Sequence, residues 1–148
     1  MIDWFWKTFD ELSLAQLYDL MALRQEVFVV EQNCVYQDAD YLDQPSHHLL
    51  GYRDNQLVAC LRLLPPGVVY EQVTIGRVIT RAGVRGVGAG RTLMAMAIEQ
   101  SARLYPGQGL KLSGQSYLRR FYESFGFTVE GEEYLEDGIP HLAMVRPA

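Results

Sequence analysis

Apolar residues recur at two spacings along this chain, and each change of spacing marks an element. Ile2, Trp4 and Trp6 alternate with Asp3, Phe5 and Lys7, which predicts a first strand over Met1 to Phe9. The period then lengthens. Ser13 and Gln16 have capping-box spacing and Leu12 and Leu17 stand at staple positions, so a helix begins at Leu14 and carries Leu17, Leu20, Met21, Val27 and Phe28 along one stripe. Arg24 falls on the same stripe, where a charge is costly unless it meets a partner or reaches solvent. From Glu31 to Ser46 no period is visible. Asp38, Asp40 and Asp43 lie there beside Tyr36 and Tyr41, which reads as a long functional loop or short helical pieces.

His48 to Tyr52 and Leu57 to Leu64 are apolar runs flanking Asp54-Asn55, a pair suited to a tight hairpin turn, and Pro65-Pro66-Gly67 ends the second run. Val73 to Thr80 reads as a further strand, in which Gly76 marks a bulge or a close backbone approach. Leu93, Met94, Ala97, Ile98 and Ala102 restore the helical period and stop before Pro106-Gly107. Leu110 to Leu112 is a short buried strand, Tyr117 to Phe125 a short helix ended by Gly126, and Phe127 to Val129 and Leu142 to Val145 are closing strands. Glu130 to Asp137, with five carboxylates, reads as a solvated hairpin connection. The order β-α-β-β-β-α-β-α-β-β predicts a mixed α/β (α+β) fold, one domain over residues 1–148, with no internal repeat and no linker.

Composition narrows the function classes. With 49% hydrophobic and 21% charged residues the chain is an ordinary globular one, and no apolar run approaches the length a membrane span needs. The first ten residues lack a basic and a cleavable apolar stretch, so a cytoplasmic location is expected. Cys34 and Cys60 have neither CxxC spacing nor histidines at zinc-finger intervals, so two free thiols and no metal are expected. The net charge of -5 argues against nucleic acid as a partner and mildly favours a cationic one.

The candidate chemistry centres on Arg85-Gly86-Val87-Gly88-Ala89-Gly90-Arg91, between a strand and a helix. Glycines at alternate positions let backbone N–H groups turn toward an anion, the helix adds its positive end, and Arg85 and Arg91 can add charge-assisted bonds. The run departs from GxGxxG because Arg91 occupies its last position, and it lacks the Gly-Lys-Ser/Thr of a P-loop. Physically it is a pyrophosphate cradle.

The spacing Arg-x-x-Gly-x-Gly after the strand Ile75-Gly76-Arg77-Val78-Ile79-Thr80 resembles the acyl-CoA-binding motif of the GCN5-related N-acetyltransferases (GNAT). Gln115 opens Gln115-Ser116-Tyr117-Leu118-Arg119-Arg120-Phe121-Tyr122-Glu123-Ser124-Phe125-Gly126-Phe127, which resembles that family's signature ending in Tyr-x-x-x-Gly-Phe. Leu23 to Gln32 is similar to the first helix of its ElaA-like subgroup. The resemblance implies a central mixed, mostly antiparallel sheet flanked by helices, and acetyl-CoA as acyl donor to a small-molecule or peptide amine. It places Val78, Ile79 and Thr80 along the pantetheine arm, residues 85–91 at the pyrophosphate, Gln115 where the family often has Asn, and Tyr122 as the acid that protonates the leaving sulfur.

An ammonium must lose a proton before it attacks a thioester, and the strand Val73 to Thr80 carries no carboxylate where some relatives place a base. His47, His48, Glu31, Asp40 or water remain candidates, each residue having a structural role as its alternative. Arg24, Arg62 and Arg77 lie in apolar segments and are expected to pair with Glu26, Glu31 or aspartates. Retention of Tyr122 favours an enzyme working by direct attack in a ternary complex; the missing strand carboxylate favours a non-catalytic acyl-CoA-binding sensor or interaction module. A homodimer is compatible with the exposed edge of a mixed sheet.

Overall fold

The lengthening of the apolar period at Ser13 corresponds to a real boundary. In the computed structural model, which describes all 148 residues, β1 (Asp3–Thr8) passes through a short 3-10 turn into α1 (Leu14–Arg24). The Ser13 hydroxyl accepts from the Gln16 N–H at 3.0 Å and the Gln16 side chain accepts from the Ser13 N–H at 2.9 Å. The helix then widens into π-helical turns over Gln25–Glu31, where the N–H groups of Gln32 and Cys34 donate to the Val27 and Val29 carbonyls.

β2 (His47–Arg53) and β3 (Gln56–Leu64) form the expected hairpin, turned by Asp54 and Asn55 at φ 52° and 60°. β4 (Val73–Thr80), α2 (Ala89–Leu104), β5 (Leu110–Gln115), α3 (Arg119–Glu123), β6 (Thr128–Glu136) and β7 (Ile139–Arg146) complete the chain in the predicted order. The strands make one seven-stranded sheet, ordered β1-β2-β3-β4-β5-β7-β6. Its neighbours are antiparallel except β4 and β5, which are parallel, so the fold is a mixed α/β one. β3 is buried along almost its whole length because Cys60 packs with Leu20 and Leu23 of α1, while Leu61 and Leu63 join Leu93, Met94 and Ala97 of α2.

One expectation needs correction. Glu130 to Asp137 is solvated but is not a connection: Glu130 to Glu136 belong to β6, and the turn is only Asp137 and Gly138, at φ 52° and 78°. The carboxylates tolerate a strand because β6 is the sheet edge, where outward positions are solvated and charge discourages edge pairing.

Between β4 and β5 the sheet comes apart. Only Val73 with Leu110 and Thr74 with Lys111 are paired. On its other side β4 is opposite β3 at Gly76 with Arg62 and at Ile79 with Cys60, so β4 holds an extra residue there, and Arg77 takes φ 52°. This bulge lies one residue past the glycine that marks it in the sequence. It turns the rest of β4 away from β5 and leaves the β5-side edge of Val78 to Thr80 without strand partners.

Candidate active site

The gap between the diverging strands opens into a cleft of about 820 Å³, within the range of small-molecule sites. Val78, Ile79 and Thr80 form one wall. At one end lies the turn into α2, where Gly86 and Gly88 have φ 88° and 83°. Gly88 is the N-cap and supplies no capping side chain, so the first-turn N–H groups of Ala89, Gly90 and Arg91 have no partner within the helix. A Cβ on Gly86 or Gly88 would touch nothing within 4 Å, so the space around this turn is open. Donors pointing from a helix N-terminus into open space form an anion site.

Every residue expected at the cofactor lines this cleft except Val87, which is 65% exposed and turned to solvent. Arg91 stands over the Phe125 ring at 5.1 Å. Arg85 donates through Nε to the Thr80 carbonyl at 3.0 Å and through Nη1 to Glu31 at 2.6 Å. Arg81 makes a second ion pair to the same π-helical segment, with Glu26 at 3.4 Å. The two pairs draw Gln25–Glu31 over the glycine turn, and an anion seated there would compete with Glu31 for Arg85.

Tyr122 also lines the cleft, held on α3 between Phe121 and Phe127 in edge-to-face contacts. Its ring rests on Gly114: a Cβ there would come within 2.7 Å of Tyr122 Cε2. Burial pushes its phenol up to about 12, so it stays protonated at neutral pH and is suited to give a proton rather than take one.

Arg24, Arg62 and Arg77 find carboxylates, as their apolar setting requires, and all three use aspartates of residues 31–46. Arg24 pairs with Asp38 at 2.6 Å and Asp43 at 2.7 Å, Arg62 with Asp43 at 3.0 Å and Asp40 at 2.6 Å, and Arg77 with Asp38 at 2.8 Å and Asp40 at 3.2 Å. The six charges alternate around a closed ring that ties the loop to α1, β3 and β4. Burial opposes ionisation of Asp40, but Arg62 and Arg77 outweigh it and hold the carboxyl at about 2. Asp43 is lowered in the same way by Arg24 and Arg62.

That ring removes Asp40 from the list of bases, since it lies outside the cleft and its carboxylate is committed to two guanidinium groups. His48 is also outside: it is 2% exposed, donates from Nε2 to the Asp43 carbonyl at 2.8 Å, and burial lowers its pKa. His47 does not line the cleft, and Glu31 lines it but is engaged by Arg85. The cleft instead holds three groups that sequence reasoning missed, Ser113, Glu136 and His141. The signal for two of them was Asp137-Gly138, a two-residue hairpin pair like Asp54-Asn55, which sets β6 and β7 in register.

A seven-stranded mixed sheet, splayed at its one parallel pair above a glycine-built helix N-terminus, is the architecture of acyl-CoA-dependent N-acyltransferases. The family model described as an acetyltransferase (GNAT) domain matches residues 14–147. Protein ElaA of Escherichia coli is 45% identical over 148 residues, which cover 99% of this chain and 97% of that protein. A crystal structure of an acyl-CoA N-acyltransferase from Pseudomonas aeruginosa superposes with a TM-score of 0.95 at 46% identity, covering 99% of both chains. The crystal structure of Escherichia coli ElaA gives 0.94 at 44% identity, again over 99% of both. The chain therefore belongs to the GNAT acetyltransferase family, in its ElaA-like group.

Proposed function

We propose that residues 1–148 form one cytoplasmic N-acetyltransferase domain, which moves an acetyl group from acetyl-CoA to a primary amine by direct attack in a ternary complex. The observation that carries this reading is the continuity of one cleft: the unpaired edge of β4, the open N–H groups of the glycine turn and the Tyr122 phenol all border it. The β4 edge offers strand-like hydrogen bonds to the amides of pantetheine. Ala89 to Arg91 and the arginines beside them receive the pyrophosphate, which displaces Glu31 from Arg85. A backbone N–H near Val78 polarises the thioester carbonyl, the amine attacks the carbonyl carbon, and Tyr122 protonates the departing sulfur.

The test is release of CoA thiol from acetyl-CoA in the presence of primary amines, with Tyr122→Phe compared with the wild type. The phenol is expected to contribute as a general acid does, so the variant loses about 10²-fold in kcat while its affinity for acetyl-CoA is unchanged. Acetyl-CoA binding without CoA release would favour the second reading, a non-catalytic acyl-CoA sensor or interaction module, for which the carboxylate-free β4 speaks.

A further inference from the structure

Ser113, Glu136 and His141 line the cleft but have no part in the chemistry described so far. β7 lies between β5 and β6, with His141 directly opposite Gln115 on one side and Tyr134 on the other. Residues directly opposite on antiparallel strands share a face, so His141, Gln115 and Tyr134 do, and Ser113, two residues from Gln115, joins them. Ser113 and Tyr134 share a hydrogen bond through their hydroxyls, Ser113 donates to Glu136 Oε1 at 3.5 Å, and the Tyr134 and His141 rings stack at 6.2 Å. Tyr122 packs on Gly114, which alternation places on the opposite face of β5. The phenol and the imidazole therefore reach the cleft from opposite faces of the sheet.

His141 is 7% exposed, and its two ring nitrogens are distinct. Nδ1 lies 2.7 Å from the Ile139 carbonyl, which can only accept, so Nδ1 carries the proton and a neutral ring keeps its lone pair on Nε2. Nε2 faces Glu136 Oε2 at 3.4 Å. With the ring neutral, Nε2 and the Glu136 carboxylate are two acceptors that face each other with no donor between them. A primary ammonium, with three N–H groups and a positive charge, is the group that satisfies both.

We propose that Glu136 and His141 are the amine end of the site, Glu136 seating the ammonium and His141 Nε2 acting as the general base; this rests on the acyltransferase reading above. His141 removes one proton from the ammonium, and the freed lone pair forms the N–C bond while the C–S bond breaks with its electrons going to sulfur. The second proton lost by nitrogen replaces, through solvent, the one that Tyr122 gives the sulfur, and His141 returns its proton to water. Asp137 adds a second carboxylate at the cleft wall beside Glu136. An acceptor with an anion near its amine is repelled there, so polyamines and lysine side chains are favoured over free α-amino acids.

The test measures CoA release by the full chain with spermidine and with an N-terminally blocked lysine amide as acceptors. His141→Asn keeps a donor for the Ile139 carbonyl but removes the base, and it lowers kcat by about 10²-fold or more without changing acetyl-CoA affinity. Glu136→Gln raises KM for the amine by up to about fivefold, the worth of a half-exposed ion pair, with kcat little changed. Nitrogen-15 spectra of the neutral His141 ring, identified by its loss in the variant, show the proton on Nδ1. Undiminished turnover in His141→Asn, a neutral ring with its proton on Nε2, or bound acetyl-CoA with no release to either amine overturns the proposal. Failure of the wild type to bind acetyl-CoA would overturn the acyltransferase reading itself.

Discussion

Tyr122 and Gly114 act as one unit. The phenol is placed by its contact with a residue that has no side chain, and a methyl there would sit 2.7 Å from the ring, closer than carbon atoms approach. Gly114→Ala is therefore expected to tilt the ring and lower kcat by up to about 10²-fold, the effect of a displacement of about 1 Å, with acetyl-CoA affinity retained. Steady-state kinetics beside Tyr122→Phe check this; wild-type kcat in Gly114→Ala would mean that the phenol's position does not matter. Tyr122 could be singled out in the sequence because it stands in a signature of fixed spacing. His141 could not, since a lone histidine within the apolar run from Ile139 to Val145 carries no motif, and its meaning comes from the Glu136 that a two-residue turn sets beside it.

Among the elements, residues 31–46 separate what patterning reveals from what it does not. The segment has no period because its order comes from charge: three aspartates close a ring with three arginines contributed by α1, β3 and β4. Sequence alone could say that each arginine needed a partner, from the cost of burying an unpaired guanidinium, but not which carboxylate it would meet. The glutamates considered for that role, Glu26 and Glu31, are taken by Arg81 and Arg85. Breaking the ring on one side leaves buried carboxylates under-compensated. Arg24→Met, similar in volume but uncharged, is expected to cost about 3–5 kcal/mol in urea unfolding. A loss below about 1 kcal/mol would mean that these aspartates are hydrated.

For the whole molecule, strand and helix order followed from hydrophobic period and turn residues, whereas β5, β6 and β7 are each longer than their apolar runs suggest and the widening of α1 into π-helical turns was not foreseen. The splay of β4 from β5 depends on a bulge, for which Gly76 gave only a local hint. The buried charges also set how the fold responds to pH. Asp40 and Asp43 titrate lower in the folded than in the unfolded chain, so their contribution is present above the ordinary aspartate value of about 3.9 and is lost as pH falls toward about 2. His48 is likewise lowered, by burial, so the unfolded chain gains its proton first and stability begins to fall below about pH 6.5. Calorimetric Tm is expected to decline below that value and to drop steeply between about pH 4 and pH 2, with Asp40→Asn flattening the steep part. A Tm that rises on acidification would contradict these assignments.

The central claim is that the cleft between β4 and β5 holds acyl-CoA by the glycine turn at its end. Calorimetric titration with acetyl-CoA of the wild type and of Gly88→Glu tests it most directly. At φ 83° with open space around it, position 88 accepts a side chain at a strain of about 1–2 kcal/mol, so the variant folds but places a carboxylate where the pyrophosphate would lie. Saturable binding by the wild type and its loss in Gly88→Glu is the predicted result; no binding by the wild type, or equal binding by both, would contradict the account.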